Sequence, residues 1–288
     1  MSRGIFIFGS YPQKPAFSHY WAQLAIIYLT QDTMRSDNTN IWNNWDPKLY
    51  LNEFYSGAVA PDELETISFL SRLAKNLPQQ YKILDFGCGP TIHHILPFLK
   101  NASEVHLADL FQSNLDQISK YLKKDKIAHN WDQYIKYALE CEGVQKPSEN
   151  EIAARRGSIY EKITKLVVAD AGDVNPLGEA SREQYEVVIS CYCADSATSD
   201  YETFSQYIKN ISSLVKPGGV LVLACLRKAL HYRAGASYFP SANVDEVLVY
   251  QLLCLDFKLE TITIETKELP HHAHQGYSGI ILAHATKK

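Results

Sequence analysis

Residues Lys82–Thr91, K-I-L-D-F-G-C-G-P-T, constrain this chain more than any other stretch. An apolar run ends at Ile83 and Leu84, Asp85 closes it, and Gly87 and Gly89 follow in quick succession. This is the pattern of a buried parallel strand running into a glycine turn and then a helix. Glycine has no Cβ, so such a turn adopts unusual φ values and lets a ligand approach the backbone. Taken alone, the turn specifies only a nucleotide-like ligand.

The following residues narrow the choice. A dinucleotide fingerprint requires a third glycine that permits close packing of helix on strand. Here Pro90, Thr91 and Ile92 follow Gly89, and no third glycine is present. A P-loop requires Lys-Ser/Thr after its last glycine, and that pair is also missing. Pro90 suits the first turn of a helix, where an absent N–H costs nothing. The next strand, Glu104–Asp109, ends in a carboxylate. An acid about 20 residues beyond a glycine turn commonly binds ribose hydroxyls. A glycine turn of this form with a ribose acid fits S-adenosylmethionine better than NAD. The plainer reading, a strand–turn–helix without a ligand, leaves the agreement of two independent features unexplained.

Charged content of 21% and hydrophobic content of 46% over 288 residues are those of a soluble globular protein with one large α/β domain or two small ones. A net charge of −4 argues against a nucleic-acid surface and mildly favours a cationic substrate. The six cysteines form no C-x-x-C pair. Cys88, Cys191, Cys193 and Cys225 fall at expected strand ends, as reduced buried thiols of a cytoplasmic protein do. The apolar runs near Ile5–Phe8 and Trp21–Leu29 are too short for a secretory core or a bilayer span, so neither targeting nor membrane association is expected.

Residues 1–40 read as an arm with a helix at Tyr20–Leu29, and residues 41–288 as one domain. Within it, 41–80 forms a helical cap that includes a helix over Asp62–Asn76. Strands are expected at Tyr81–Phe86, Glu104–Asp109, Lys165–Ala169, Tyr185–Ser190, Val220–Cys225, Lys258–Glu265 and Tyr277–Ala285. Helices are expected at Thr91–Leu99, Ser113–Lys123, Tyr201–Val215 and Val244–Leu253. Residues 126–163 interrupt the alternation as a polar, helix-prone insertion. Continuous apolar strands alternating with helices mean a mostly parallel sheet covered on both faces. The last two strands have no helix between them, so they pair antiparallel.

With these elements placed, the chain resembles class I S-adenosylmethionine-dependent methyltransferases, and more narrowly the nicotinamide/phenylethanolamine/thioether methyltransferase family. W-D-P-K-L-Y-L-N-E-F-Y (Trp45–Tyr55) matches that family's N-terminal signature, and L-D-F-G-C-G-P-T its glycine turn. Asp109 with Asn114-Leu115, A-D-A-G-D-V-N-P-L-G (Ala169–Gly178) and L-V-K-P-G-G-V-L-V (Leu214–Val222) match further segments. The resemblance covers about residues 42–287 and implies the α/β, Rossmann-like fold with seven strands, helices on both faces and the last strand antiparallel.

By position, the resemblance implies that Tyr50 and Tyr55 lie against cofactor and substrate. Gly87, Cys88, Gly89 and Thr91 would hold the methionine portion, and Asp109 and Asn114 the ribose. Asp170 and Ala171 would face the adenine, Cys191 would line the cofactor site, and Asp195, Tyr232 and Ser241 would stand near the substrate. Nicotinamide-methylating members carry an aspartate where this chain has Cys225, followed by Leu226 and Arg227. A carboxamide thereby loses an anchor, and the expected acceptor is the nitrogen of a small-molecule amine, guanidine or heteroaromatic compound other than nicotinamide.

Methyl transfer from a sulfonium is an in-line displacement, and proximity and orientation supply about 7–11 kcal/mol of its barrier. Tyr50 is the candidate for stabilising the moving positive charge, since a cation over a tyrosine face gains about 0.5–2 kcal/mol. Asp195, or a nearby histidine, is the candidate for binding the acceptor ammonium and helping to remove its proton. Plainer readings stand beside these. The five-residue spacing does not put Tyr50 and Tyr55 on one helical face. Asp109 could cap the following helix, although Ser113 suits that better. Asp170 could cap a turn. His271, His272 and His274 read as solvated, His93 edges the cofactor, His94 packs or lies at the surface, and Arg155-Arg156 is solvated. No metal is expected. The alternatives are methyl transfer to the sulfur of a thioether or thiol, or a non-catalytic cofactor-binding scaffold. Partners are expected to be a small-molecule amine, without nucleic acid or membrane, in a monomer or homodimer.

Overall fold

The computed structural model of this chain describes residues 41–179, 181 and 183–288. The helix expected at Tyr20–Leu29 lies outside them. The chain divides into two units, Met1–Asn44 and Trp45–Lys288. Of the first, the 3-10 turn Trp42–Asn44 is described.

The second unit opens with α1 (Pro47–Tyr55) and α2 (Pro61–Ala74), each with proline in its first turn, where no backbone donor is lost. Asp46 caps α1 by accepting from the N–H groups of Lys48 and Leu49 at 2.8 and 3.1 Å. Then follow β1 (Tyr81–Phe86), β2 (Ala102–Asp109), α3 (Gln112–Leu122), α4 (Asp132–Cys141), α5 (Glu149–Lys162) and β3 (Ile163–Val168). The chain continues with β4 (Tyr185–Cys191), α6 (Tyr201–Ser213), β5 (Val215–Leu226), β6 (His231–Ala234), β7 (Ser237–Pro240), α7 (Glu246–Asp256), β8 (Thr263–Glu268) and β9 (Gly279–Thr286).

Seven strands form one sheet in the order β3-β2-β1-β4-β5-β9-β8. The first five run parallel, and β9 enters antiparallel between β5 and β8. Ile83, Val187 and Val222 pack on one face against α2, α4 and α5, while Leu84, Val188 and Leu221 pack on the other against α6 and α7. The strand order reverses between β1 and β4, which are neighbours separated by two strands in sequence. In open α/β sheets the crevice for ligands lies at that point, beyond the carboxyl ends of the strands.

Several local expectations are corrected. Thr91–Leu99 is not an α-helix; only His93–Phe98 winds, as a 3-10 helix containing Pro97, whose missing N–H cannot sustain α-helical bonding. Ser113 does not cap α3, which begins one residue earlier behind Phe111; Asp109 Oδ1 instead accepts the Phe111 N–H at 2.9 Å. The helix-prone residues 126–163 do hold helices, α4 and α5, and α5 runs straight into β3 within the crossover that a parallel β2–β3 pair requires. Lys258–Glu265 alternates, but Leu259–Thr261 is a 3-10 turn and β8 starts at Thr263. Arg155 is buried rather than solvated: it forms a bidentate pair with Glu142 and donates to the Leu96 carbonyl at 2.7 Å. The β6–β7 hairpin was not anticipated.

Candidate active site

The glycine turn after β1 is pinned from below. The N–H groups of Gly87 and Cys88 both donate to the Ala108 carbonyl at 2.8 and 3.0 Å, and Thr91 Oγ1 donates to the Cys88 carbonyl at 2.8 Å. Gly87 and Gly89 have φ of +72° and +60°, in the left-handed region that glycine enters without penalty. They differ in surroundings. A Cβ on Gly87 would collide with the side chain of Cys193, whereas a Cβ on Gly89 would meet nothing within 4 Å. Gly87 therefore serves packing, and Gly89 presents open backbone to the crevice.

Gly89 also donates its N–H to Asp109 Oδ2 at 2.8 Å. Asp109 Oδ1 takes two more donors, the Phe111 N–H and the Asn114 side-chain amide at 2.8 Å. A carboxylate has about four acceptor positions, so three are filled and one remains for a ligand hydroxyl. Burial raises the Asp109 pKa, opposed by these donors. Asn114 Oδ1 in turn accepts the Trp45 indole N–H at 2.8 Å, which ties the segment before α1 to the end of β2. Beyond Asp109, the Ala169 N–H donates to the Asp109 carbonyl at 3.0 Å and brings Asp170 and Ala171 alongside. Asp170 Oδ1 accepts from Gly172 at 2.7 Å, while the Ala171 carbonyl is held by Asn210 at 2.8 Å.

Asp85, at the end of β1, is buried, and neither of its oxygens has a partner among the described residues. Burial pushes its pKa up to about 6; His94 pulls it down, while Asp109 and Glu63 push it further up. The sequence marked Asp85 as a strand end but not as a site residue. The signal was present, an acid closing a strand two residues before the first glycine.

The wall above the turn is aromatic. Tyr50 packs against Trp45, Phe54 and Tyr55 at ring distances of 4.8, 5.0 and 5.6 Å. Tyr50 and Tyr55 stand about 140° apart around α1. Their long side chains nonetheless bring the two hydroxyls to 3.4 Å, so the helical-face argument did not separate them. Tyr55 then donates to Glu63 Oε1 at 3.2 Å. Glu63 Oε2 meets His93 Nε2 at 2.8 Å and His94 Nε2 at 3.4 Å. Burial alone would raise the Glu63 pKa; the two imidazoles reverse this and hold it far below the usual carboxylate range. Burial lowers His93 to about 4, against the pull of Glu63, whereas Glu63 and Asp85 overcome burial to raise His94. His94 is thus neither a surface residue nor simple packing. The ligand atoms of Glu63, His93 and His94 lie within 4.8 Å of one another, the spacing of a three-ligand metal set. His272, by contrast, bonds Gln275 and Tyr277 at 2.8 Å each.

The opposite wall is built after β4 and β5. Cys191 is buried, and burial pushes its thiol pKa up. Asp195 is fully buried; its Oδ2 accepts the Leu226 N–H at 2.8 Å and the Ser196 hydroxyl at 3.3 Å. Oδ1 has no N–H or O–H partner among the described residues, and the thiol of Cys225, a weak donor, lies beside the carboxyl group. Burial pushes the Asp195 pKa up to about 6, opposed by the Leu226 N–H. The Asp195 carbonyl accepts from Ala242 at 2.8 Å, which fixes the strap after β7 against it. Ser241, next to Ala242, is buried with its hydroxyl unpartnered among the described residues. Tyr232 of β6 stacks on Phe239 of β7 at 5.4 Å, and Phe239 meets the Trp45 ring edge-on at 5.5 Å. Tyr232 lies within electrostatic reach of Tyr50, Asp195, Cys193 and Asp109. The two walls and the turn therefore converge on one region. Sequence reasoning missed Asp85, Glu63 and the hairpin that carries Tyr232.

The family model described as the NNMT/PNMT/TEMT family matches residues 34–288. Among curated proteins, nicotinamide N-methyltransferase of Homo sapiens is 28% identical over 209 residues, covering 69% of this chain and 76% of that protein. Indolethylamine N-methyltransferase of Mus musculus is 26% identical over 251 residues, with coverage of 82% and 91%. Phenylethanolamine N-methyltransferase of Macaca mulatta is 23% identical over 267 residues, with coverage of 88% and 92%. Among solved structures, magnesium protoporphyrin IX methyltransferase of Synechocystis PCC 6803 superposes with a TM-score of 0.51 at 14% identity, over 88% of this chain and 97% of that one, and shares the fold.

Proposed function

This chain belongs to the NNMT/PNMT/TEMT family, and from that premise we infer that it is an S-adenosylmethionine-dependent N-methyltransferase acting on a small-molecule amine. One observation carries the reading. Two buried carboxyl groups, Asp85 and Asp195, close β1 and follow β4 on either side of the switch point, with unpartnered oxygens. Buried unpaired acids are costly. A cationic donor and a cationic acceptor relieve that cost.

The residues present fit the donor. The open face at Gly89 admits a ligand close to the backbone, Asp109 keeps an acceptor position for a sugar hydroxyl, and Asp85 offers two oxygens to an ammonium. Gly87, Cys88 and Thr91 shape that turn, Asn114 orients Asp109, Asp170 and Ala171 border the base end, and Cys191 lines the donor site near Asp85. When bound, S-adenosylmethionine supplies a methyl group on a positively charged sulfur. Tyr50, Tyr55 and Tyr232 present aromatic surface to positive charge, at about 0.5–2 kcal/mol for each face engaged. Asp195 binds the acceptor ammonium and takes up its proton, and Ser241 offers a free hydroxyl for orientation. No helix among the described residues is long and apolar enough to cross a membrane. The free cysteines fit our reading of a cytoplasmic enzyme.

The test is a calorimetric titration with S-adenosylmethionine, followed by labelled-methyl transfer to a panel of amines and thioethers. Binding with methyl transfer to amines is expected. Transfer only to sulfur, or binding without transfer to any acceptor, would overturn the reading. The pH profile adds a second result. An Asp195 carboxyl with a pKa of about 6 is ionised above that value and protonated below it. Amine binding that needs the carboxylate weakens as pH falls through about 6, so KM for the amine rises there. Asp85 titrates in the same range, so the assignment rests on Asp195→Asn, which should abolish the acid-side change in amine KM while the affinity for S-adenosylmethionine stays near that of the parent.

A further inference from the structure

We propose that Glu63, His93 and His94 form a binding site for one divalent transition ion of the zinc kind, which ties α2 to the 3-10 helix that follows the glycine turn. The site goes beyond the methyl-transfer reading and needs neither donor nor acceptor.

Glu63 enters from the first turn of α2, and the two histidines open the 3-10 helix His93–Phe98. Consecutive positions on a 3-10 helix point about 120° apart. The two imidazoles nonetheless stand 3.9 Å apart, centroid to centroid, and both bring Nε2 to the same oxygen of Glu63, at 2.8 and 3.4 Å. All three side chains are buried, so this is not a loose surface pairing. No other three histidine, cysteine or acidic side chains gather in this way among the described residues. Hydrogen bonding alone leaves the cluster incomplete. His93 bonds Oε2, and Tyr55 donates to Oε1 at 3.2 Å. His94 Nε2 is left buried, without a hydrogen-bond partner among the described residues. A buried polar atom left unmet is costly, and an ion shared by the three side chains satisfies it.

The donor set and its spacing select the ion. Ligand atoms bound to a tetrahedral zinc stand about 3.3 Å from one another. The His94–Glu63 distance already has that value, and the His93–Glu63 contact needs to open by about half an ångström. Two imidazoles with one carboxylate suit zinc and its neighbours, whereas calcium and magnesium take oxygen ligands. Three protein ligands leave a fourth position for water. The His93 ring is held by Trp131, stacked within 10° of parallel at 5.6 Å. The sequence drew attention to His271, His272 and His274 instead, because a pair of adjacent histidines carries no metal spacing until α2 supplies the acid. An ion here joins residues 30 positions apart in sequence, so its binding energy adds to folding.

The experiment titrates the chelator-treated protein with Zn²⁺ by calorimetry and with Co²⁺ by absorption spectroscopy, and follows thermal unfolding with and without Zn²⁺. One equivalent is expected to bind and to raise the melting temperature. The Co²⁺ spectrum should show four-coordinate bands without the near-ultraviolet charge-transfer band of a thiolate ligand. His94→Gln and Glu63→Gln should each weaken binding by at least about tenfold and remove the rise in melting temperature. His271→Gln combined with His274→Gln should bind as the parent does. If His94→Gln and Glu63→Gln do not fold, the parent's Co²⁺ spectrum and the His271/His274 variant decide. No binding, a thiolate band, parent-like binding in His94→Gln, or loss of binding in the His271/His274 variant overturns the site. Each of these results leaves the functional reading intact, since that reading stands or falls on S-adenosylmethionine binding and methyl transfer.

Discussion

Gly87→Ala is expected to lose most of its affinity for S-adenosylmethionine and to unfold at a clearly lower temperature. Two costs add. The residue sits at φ +72°, where a side chain is penalised by about 1–2 kcal/mol. The new Cβ also runs into the side chain of Cys193, and forced overpacking costs about 1–3 kcal/mol. Relief requires the turn to move, and the turn carries Cys88, Gly89 and the contact to Asp109. Thermal unfolding and calorimetry read the two effects. Gly87→Ala combined with Cys193→Gly should recover much of the loss, because only the backbone penalty remains. Gly89→Ala makes the contrast: its Cβ meets nothing, so the fold should survive with the backbone penalty alone while donor binding falls. Equal melting temperatures for Gly87→Ala and the parent would contradict this account.

Asp109→Ala should be as damaging to binding and more damaging to the fold than its position at a strand end suggests. The carboxylate takes hydrogen bonds from the Gly89 N–H, the Phe111 N–H and the Asn114 amide. Each buried donor left unmet costs about 1–3 kcal/mol. Asn114 is also the partner of Trp45, so its release loosens the segment leading into α1. The expected result is a fall of at least about a hundredfold in donor affinity, together with destabilisation of roughly 2–5 kcal/mol in denaturant unfolding. Asp109→Asn can accept through one oxygen only and should fall between. A variant that binds S-adenosylmethionine normally would remove Asp109 from the site.

The sheet was legible because its central strands are buried on both faces and therefore read as unbroken apolar runs. Ile83-Leu84, Val187–Ile189 and Leu221–Cys225 have no polar interruption to confuse the period. The pairing of β8 with β9 was legible from the short link between them, which holds only the 3-10 turn Pro270–Gln275. The hairpin was not: β6 and β7 are four residues each, and H-Y-R-A and S-Y-F-P carry no alternation long enough to register. Arg155 looked like a surface charge because its partner Glu142 lies thirteen positions earlier, across the α4–α5 turn. Within the site, the glycine turn and Asp109 announced themselves by spacing. Glu63 did not, because an acid in the first turn of a helix is already explained by the helix dipole. Its meeting with His93, thirty positions on, depends on how α2 packs against the 3-10 turn. Burial, which makes Asp85 and Asp195 chemically unusual, is a property of the folded interior and has no local signature.

Trp45 is shared property. Its indole N–H fastens Asn114 on the side assigned to the donor's sugar, and its ring edge rests on Phe239 beside Tyr232 on the side assigned to the acceptor. Donor grip and acceptor choice are for that reason not separate dials. Breeding this enzyme toward a bulkier acceptor by trimming Phe239 would unsettle the indole and, through it, the hold on the sugar, so a successful lineage would have to repair position 45 or 114 along the way.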